Sequence, residues 1–372
     1  MTQRRDYMPQ LDGLRAVAVL AVMVRHFVPE TTAWFDLGRF GVLLFFVLSG
    51  YLITGILLGC RDRCDAEGAN RSSVAKRFYI RRFIRIFPIY YITLAVIWGV
   101  SHWPVFVRAV PAVEEWIAPL PWLITYTFNL YWGITNVNAG QLSHLWSLAV
   151  EEQFYLIWPW VLLFARRRAF LPLLVAGIAL GPAYRLFAII SGWSYAAVAF
   201  VTIACLDTLA MGSLLAWAER GSETAKGWME RLVPWCGVGG VLLLILPAFV
   251  DVVGTGALFD TGVGLVSVWL VFGGARGFRG PFGRLLEWGP ARYLGRISYG
   301  LYLYHNLMPT FVRLCLSAIG VPIEALGPAT PFALAAATVA VAAASWALIE
   351  APLNRLKRGY PYFDPSPSAP AG

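Results

Sequence analysis

Apolar segments of about 20 residues alternate with short polar segments along most of the chain. A helix of that length matches the ~30 Å hydrocarbon core of a bilayer. The pattern therefore predicts an all-α fold, a polytopic bundle of about ten transmembrane helices. The predicted spans are residues 11–31, 38–59, 83–101, 144–165, 169–190, 198–218, 232–250, 256–273, 297–319 and 329–350.

One further apolar segment, residues 116–132, differs from these ten. It is rich in aromatic side chains, but Pro119 and Pro121 interrupt it, and proline in a helix interior removes a hydrogen bond and bends or ends the helix. We expect this segment to be an interfacial or re-entrant piece. If it crossed the bilayer, every later segment would lie on the opposite side.

The basic residues indicate which side each loop faces, because Lys and Arg accumulate on the cytoplasmic side of membrane proteins. With both termini cytoplasmic, 25 of the 30 Lys and Arg residues fall in or beside predicted cytoplasmic segments. We therefore predict that both termini are cytoplasmic. The formal net charge of +9 follows from this distribution and gives no support to a nucleic-acid partner.

The composition excludes an ordinary soluble domain. Hydrophobic residues make up 58% of the chain and charged residues 14%, whereas a soluble domain carries about 25% charged residues. Residues 1–359 are predicted to form a single membrane domain, and residues 360–372, rich in Pro, Ser and Ala, a short disordered tail. The five cysteines have neither paired metal-ligand spacing nor the pattern of a secreted disulfide framework, so we predict no metal site.

The first span contains two ionisable residues, Arg15 and His26. Their spacing places them within about 20° of the same helix face and about 16 Å apart along the axis. Ionisable residues in a bilayer normally face the protein interior or a water-filled cavity. The alternatives are that Arg15 extends to the cytoplasmic interface and that His26 is a hydrogen-bonded contact between helices.

The strongest basic cluster, KRFYIRRFIRIFPIYY, runs into the third span. Arg82 and Arg85 are three residues apart and share a helix face. Guanidinium groups at a membrane surface are suited to bidentate phosphate binding. The alternative is an anchor for anionic lipids that also sets the topology. In the preceding span, Gly41, Ser49 and Gly50 suit close helix packing.

Two acidic residues, Glu151 and Glu152, lie at the start of the fourth span. Acids in the first turn of a helix can simply complement its dipole. Glu151 and Tyr155 are four residues apart, however, and therefore share a helix face. At least one of the two acids therefore shares a face with a polar aromatic side chain.

Several ordered motifs together carry a resemblance to a known family. They are LDGLRA at 11–16 with Arg15 followed by His26, FFVLSGYLI at 45–53, RRFIRIFPIYY at 81–91, HLWSLAVEEQFYLIWP at 144–159, ISYGLYLYHNLM at 297–308, and IEAP with Glu350 and Pro352. In this combination the chain resembles the acyltransferase 3 family of integral-membrane O-acyltransferases over about residues 10–357. It departs from the family at Leu43, where members often have an acidic residue. We expect the membrane domain to act without the extracytoplasmic hydrolase-like domain that some members have.

The resemblance implies transfer of an acyl group, usually acetyl, from acyl-CoA to an acceptor hydroxyl in the bacterial cytoplasmic membrane. His26 is our candidate general base, because an imidazole can remove a hydroxyl proton near neutral pH. Arg15, Arg82 and Arg85 are candidates to hold the phosphates of the donor. The acceptor is expected to contain a sugar. It is either a cell-envelope glycan or a small natural product such as a macrolide.

The remaining candidates have weaker support. Glu151 either orients an imidazole or holds the acceptor. Glu152, Tyr155 and His305 are candidates for the substrate pocket, although a histidine among aromatic residues is more often a packed polar contact. The rival interpretation is a transporter, in which Asp207 and the other intramembrane ionisable residues line a pathway. No pair of broken helices in matching halves of the sequence supports it.

Overall fold

The computed structural model describes residues 7–32, 35–111, 113–249 and 255–363. Helices joined by short turns and 3₁₀ segments make up these ranges, in which no strand occurs. The α-helices of the described residues are α1 (Pro9–Phe27), α2 (Leu37–Glu67), α3 (Arg71–Val100), α4 (Pro104–Ala109), α5 (Val113–Ile117), α6 (Leu120–Ile124), α7 (Phe128–Thr135), α8 (Trp146–Phe164), α9 (Phe170–Ile190), α10 (Tyr195–Ala199), α11 (Leu206–Ala218), α12 (Glu223–Ile245), α13 (Thr255–Arg276), α14 (Gly280–Glu287), α15 (Gly289–Arg296), α16 (Ser298–Tyr304), α17 (Met308–Ala318), α18 (Thr330–Ser345) and α19 (Ala351–Leu356).

Six helical stretches of the described chain are long and apolar enough to cross a membrane. They are α2, α3, α12 and the stretches Arg167–Ile190, Gly256–Arg276 and Ile323–Gly359. The other four predicted spans coincide with α1, α8, α11 and the consecutive helices α16 and α17, which are shorter or carry more polar side chains. The all-α membrane fold is therefore confirmed, and the count of ten stays a prediction.

The aromatic segment at residues 116–132 does not form a membrane-length helix. It contributes to three short helices, α5, α6 and α7, of five to eight residues. At 1.5 Å per residue none of them exceeds about 12 Å. Pro119 precedes α6 and Pro121 lies in its first turn, where a missing N–H is tolerated. These prolines therefore break the segment as the sequence predicted.

Ion pairs bring several of the predicted cytoplasmic segments to one end of the bundle. Arg167, before α9, contacts both Asp62 (2.7 Å) and Asp65 (2.8 Å) at the end of α2. Arg220, after α11, contacts Asp62 at 3.0 Å, and Arg71 at the start of α3 contacts Asp65. Segments predicted to share one side of the membrane therefore share one end of the molecule. Which side of the membrane this end faces stays a prediction.

Helix α2 occupies the centre of the bundle. Its most apolar window is 78% buried, compared with 17% for that of α12. Close packing against α1 and α11 depends on glycine, because a Cβ at Gly41 would lie 2.3 Å from the Ala18 carbonyl oxygen and one at Gly50 would lie 2.2 Å from the Leu209 carbonyl oxygen. Both glycines thus have the close-packing role predicted for them.

A buried network of two arginines and two aspartates joins α2, α9, α11 and α13. Arg39 donates to Asp260 through Nε at 2.9 Å and through Nη2. Arg185 donates to Asp207 at 2.7 and 3.2 Å, and its Nη1 lies 3.6 Å from Asp260. All four side chains are buried. Because the charges balance, the network can exist in a membrane-embedded core.

The last described residues pack against the start of α3. Arg77 donates to the Pro361 carbonyl at 2.8 Å and Arg81 to the Tyr360 carbonyl at 3.1 Å. The Arg63 guanidinium lies 4.1 Å from the centre of the Phe363 ring. The predicted disordered tail began at Tyr360, but the chain is held in place through Phe363. The rest of that tail, residues 364–372, lies outside the described residues.

We predict that Gly212→Ala destabilises the bundle. A Cβ at Gly212 in α11 would lie 2.0 Å from the Val47 carbonyl oxygen of α2, and backbone atoms cannot yield locally. Such overpacking costs about 1–3 kcal/mol. Thermal unfolding in detergent, followed by tryptophan fluorescence, should show a lower midpoint.

Gly239→Ala is the matched control, because a Cβ at this α12 position meets nothing within 4 Å. Alanine is a better helix former than glycine, so the unfolding midpoint of Gly239→Ala should equal or exceed that of the wild-type protein. Equal midpoints for the two variants would contradict the close α2–α11 contact.

Candidate active site

Three of the predicted basic residues line one cavity, here called the arginine cavity. It has a volume of about 710 Å³ and lies between α1, α2, α3, α8 and α16. Its polar lining consists of Arg15, Arg82, Arg85, Ser49, Ser147, Glu151, Glu152, Tyr155, Ser298, Tyr299 and Tyr302. Arg15 lies on α1, and Arg82 and Arg85 lie on α3. The fold brings these two helices together, so that all three arginines line the same cavity.

Glu151 is fixed inside this cavity by hydrogen bonds. The Ser49 hydroxyl donates to Glu151 Oε1 at 2.5 Å, and the Tyr155 hydroxyl donates to Ser49 Oγ at 2.9 Å. The Arg82 guanidinium stacks 4.7 Å from the centre of the Tyr155 ring. Because Glu151 and Tyr155 share a face of α8, a single helix turn presents both to α2 and α3. The face predicted from their spacing is therefore the one that lines the cavity.

His26 lines a second cavity, here called the histidine cavity. The empty space of this cavity, open solvent included, is about 990 Å³. Its lining is Val22, Arg25, His26, Asp36, Gly38, Arg39, Val42, Trp132, Gly140, Ser143, His144, Trp146, Tyr195, Phe200, Tyr302 and Asn306. His26 lies near the end of α1 with its side chain exposed, so a ligand in the cavity can reach the imidazole.

Three histidine rings lie in a row at the histidine cavity, and two of them, His26 and His144, line it. The His305 ring makes edge contacts with the rings of His26 and His144, with both pairs of centres 4.8 Å apart. His305 is fully buried, and its Nδ1 lies 2.7 Å from the Tyr302 carbonyl. The sequence predicts that His305 lines the substrate pocket, but His305 lies behind His26 and is not part of the lining of either cavity.

The two cavities share a wall made by Val42 of α2 and Tyr302 of α16, which line both. The Tyr302 hydroxyl is fixed, because it donates to the His144 carbonyl at 2.8 Å and lies 2.5 Å from Ser147 Oγ. The side chains of Val42 and Tyr302 therefore lie between the two cavities.

The predicted residues thus divide into two groups. The arginine cavity brings together Arg15, Arg82, Arg85, Glu151, Glu152 and Tyr155, and the histidine cavity contains His26. Arg15 and His26 lie on one face of α1, as their spacing predicted, but face different cavities. The expectation that Glu151 orients the imidazole has no counterpart in this arrangement, because Glu151 bonds to Ser49 in the other cavity.

Sequence reasoning missed Arg39, the buried arginine of the histidine cavity. It lies at the start of an apolar span, and the rule that drew attention to Arg15 and His26 applies to it equally. The missing information was its partner Asp260, more than 200 residues away in sequence. Tyr302 was also missed, although it stands three residues before His305 in the SYGLYLYH motif.

Two other positions have plain structural explanations. Asp207, which the transporter interpretation would place on a pathway, is fully buried and paired with Arg185. Leu43, at the position where the family often has an acid, is fully buried in the main apolar cluster. Among the described residues, no three His, Cys, Asp or Glu side chains are arranged to hold a metal ion.

Comparisons with known proteins identify the family to which this chain is similar. The family model described as an acyltransferase domain, that of acyltransferase 3, matches residues 8–350. "Peptidoglycan O-acetyltransferase OatA" of Listeria monocytogenes is 31% identical over 319 residues, which are 81% of this chain and 49% of that protein. "Putative peptidoglycan O-acetyltransferase YrhL" of Bacillus subtilis is 30% identical, over 82% of this chain and 49% of that protein.

A "Putative O-acetyltransferase" of Staphylococcus aureus is 30% identical over 84% of this chain and 52% of that protein. The chain spans about half the length of the curated relatives it matches. No solved structure matches it. The family model covers nearly the whole chain, including every residue named for the two cavities, and the chain therefore belongs to the acyltransferase 3 family.

Proposed function

We propose that this protein is a membrane O-acyltransferase that moves an acyl group, most simply acetyl, from acyl-CoA to a hydroxyl of a sugar-containing acceptor. The observation that carries the proposal is the pair of cavities that meet at Val42 and Tyr302. One contains three arginines and the other an accessible histidine. A donor with phosphates and an acceptor that needs a base thus have separate, adjoining sites.

The arginine cavity fits the donor. Acyl-CoA carries several phosphates, and guanidinium groups bind phosphate through paired charge-assisted hydrogen bonds. Arg15 is paired with Asp12 at 2.9 Å, whereas Arg82 and Arg85 make no ion pair with the described residues and are available to a phosphate. The arginines hold the phosphates, and the acyl arm extends toward the shared wall. In the predicted topology this cavity lies toward the cytoplasm, where acyl-CoA is made.

The histidine cavity fits the chemical step. His26 removes the proton of the acceptor hydroxyl as the oxygen bonds to the acyl carbon. The carbon–sulfur bond of the thioester breaks, and the imidazolium returns the proton to the departing sulfur. Direct transfer needs no acyl-enzyme, and neither Ser49 nor Ser147 is paired with a histidine in the manner of a nucleophile.

Glu151 acts on the donor side as a positioning residue. It accepts from Ser49, which accepts from Tyr155, and Arg82 stacks on the Tyr155 ring. This chain of contacts fixes the Arg82 guanidinium at the cavity surface. Loss of Glu151 would release Tyr155 and thereby the arginine that holds the donor.

The acceptor that the relatives' names favour is a cell-envelope glycan, since two of them are named for peptidoglycan. A glycosylated natural product such as a macrolide is the alternative acceptor for the assay panel. The site of action is the bacterial cytoplasmic membrane. The test of the whole proposal is release of free CoA from acetyl-CoA by purified protein, stimulated by an acceptor from this panel.

We predict that His26→Gln abolishes acceptor-stimulated CoA release. Loss of a general base typically costs about 10²–10⁴-fold in rate. Binding of acetyl-CoA should persist, because the arginine cavity is unchanged. His102→Gln is the control, since His102 is exposed beyond the end of α3 and bonds only locally to Trp98 and Ser101. Normal turnover by His26→Gln would remove His26 as the base.

We predict that Arg85→Gln raises the apparent KM for acetyl-CoA by about tenfold, the cost of one charge-assisted hydrogen bond. The KM for the acceptor should change by less than about twofold, because the acceptor occupies the other cavity. Lys76→Gln is the control, an exposed basic residue on the same helix that does not line the cavity. An unchanged donor KM would assign the cluster to lipid binding and topology.

We predict that Val42→Phe separates binding from transfer. The added ring fills the shared wall, so the acyl group cannot approach the acceptor, and small misplacements of reacting groups cost about 10²-fold. Titration should show intact acetyl-CoA binding while CoA release falls. Leu20→Phe, at an exposed α1 position, controls for the added ring. Unimpaired transfer by Val42→Phe would place the meeting point of the substrates elsewhere.

A further inference from the structure

A further cavity, here called the lateral groove, lies on the side of the bundle between α3, α8 and the turn that joins α6 to α7. Most of its accessible surface is apolar. Its lining consists of Tyr79, Ile80, Arg82, Phe83, Phe87, Thr125, Tyr126, Thr127, Glu152, Gln153, Tyr155 and Leu156. The proposed function gives no role to the apolar residues of this groove.

The lateral groove opens toward the surface that the bilayer covers. Phe83 of α3 and Leu156 of α8 are 55% and 63% exposed, and α3 is long and apolar enough to cross a membrane. A large apolar side chain that is exposed on a membrane-spanning helix lies in the hydrocarbon of the bilayer. The chains of bilayer lipids therefore have direct access to the groove.

The lateral groove follows the axis of α3. The apolar residues that α3 contributes are spaced by three or four positions and therefore share one face of the helix; they are Tyr79, Ile80, Phe83 and Phe87. The rise from Tyr79 to Phe87 is about 12 Å. Transmembrane helices are tilted by only about 20° from the bilayer normal on average, so a lipid chain can lie in the groove without a sharp bend.

The two ends of the lateral groove differ. Tyr126 closes one end, where its ring centre lies 4.5 Å from that of Tyr90 and 5.4 Å from that of Phe87. Its φ of 53° is uncommon for a residue with a large side chain. At the other end the Tyr79 ring lies 6.3 Å from that of Trp160, and such aromatic pairs are typical of the membrane interface. The groove thus has an interfacial end and a closed apolar end, as a lipid chain requires.

The back of the lateral groove is a wall of the arginine cavity. Arg82, Glu152 and Tyr155 line both spaces and therefore lie between them. The Arg82 guanidinium is stacked 4.7 Å from the centre of the Tyr155 ring. A molecule in the arginine cavity would have to move this pair to place an acyl chain in the groove, whereas a bilayer lipid reaches the groove directly. The geometry therefore favours a lipid chain over the acyl chain of a donor.

We propose that the lateral groove binds one fatty acyl chain of a bilayer phospholipid, with the glycerol end of the chain at Tyr79 and its methyl end at Tyr126. The chain packs on the apolar side chains of α3 and α8. It also covers the bilayer side of the wall that Arg82 and Tyr155 form. This inference goes beyond the proposed function, and its test needs neither a donor nor an acceptor to be turned over.

The test measures lipid binding to the detergent-purified protein by native mass spectrometry. The titrant is a phosphatidylglycerol with two palmitoyl chains. The wild-type protein should bind the first lipid about tenfold more tightly than the second, because only the first enters a groove. Leu156→Ser should raise the dissociation constant of the first lipid by about tenfold, since one buried leucine contact with the chain is lost. The dissociation constants of later lipids should not change.

Ile157→Ser is the matched control. Ile157 is the next residue of α8 and is also 63% exposed, but it does not line the lateral groove. Both variants replace one exposed apolar side chain, so both should fold. The dissociation constant of the first lipid should stay within about twofold of the wild-type value in Ile157→Ser.

Phe83→Ser and Phe187→Ser form a second matched pair on other helices. The two phenylalanines are 55% and 58% exposed, and Phe187, on α9, does not line the lateral groove. Phe83→Ser should weaken the first lipid by about tenfold, and Phe187→Ser by less than about twofold. This pair keeps the proposal testable if a substitution in α8 prevents folding.

Three results would overturn the proposal. The first is a first lipid that binds no more tightly than the second. The second is an equal loss of lipid binding in Leu156→Ser and Ile157→Ser, which would show only the removal of apolar surface. The third is displacement of the first lipid by octanoyl-CoA but not by acetyl-CoA, which would assign the lateral groove to the acyl chain of a longer donor.

Discussion

The buried network of Arg39, Asp260, Arg185 and Asp207 is the constraint that the rest of the structure depends on. It joins α2, α9, α11 and α13 through balanced charges, and removal of one member of such a buried pair typically costs about 3–5 kcal/mol. Because Asp260 and the Ala199 carbonyl take up one edge of Arg39, the network also fixes the direction of Nη1. The network in the core thus holds Arg39, one of the residues that line the histidine cavity, in a fixed position.

The properties that could be predicted from the sequence are those that depend on a single helix, namely its length and which residues share one of its faces. Apolar length predicted the membrane helices, and the spacing of Arg15 and His26 predicted a shared face of α1. Helical periodicity carries no information about which face meets which partner. It therefore could not show that Arg15 and His26 face two cavities, or that Glu151 bonds to Ser49 of α2 rather than serving His26. The pairing of Arg39 with Asp260 depends on how two helices that are distant in sequence pack together, so it could be identified only from the structure.

The shared wall of Val42 and Tyr302 gives a physical reason for two cavities instead of one. In the proposed function, a thioester donor next to an open, water-filled site would be lost to hydrolysis, and exclusion of water also strengthens the interactions that act on the reacting groups. Tyr302 is held by the His144 carbonyl and lies beside Ser147, so the wall is rigid on that side. Val42 lies on the central helix, whose glycine contacts leave little freedom to shift. Both side chains of the wall between the cavities are therefore held in place.

In the proposed function, charge decides which substrate binds in which cavity. In the arginine cavity only Arg15 is matched by an aspartate, and Arg82 and Arg85 make no ion pair with the described residues, whereas Arg39 and Arg25 of the histidine cavity are each matched by an aspartate. A polyphosphate donor gains from the first cavity and would meet only compensated charge in the second. A neutral sugar would pack in the second cavity against the rings of Trp132, Trp146, Tyr195 and Phe200, and in the first it would leave Arg82 and Arg85 without a counter-charge. The same difference in charge that admits each substrate to one cavity excludes it from the other.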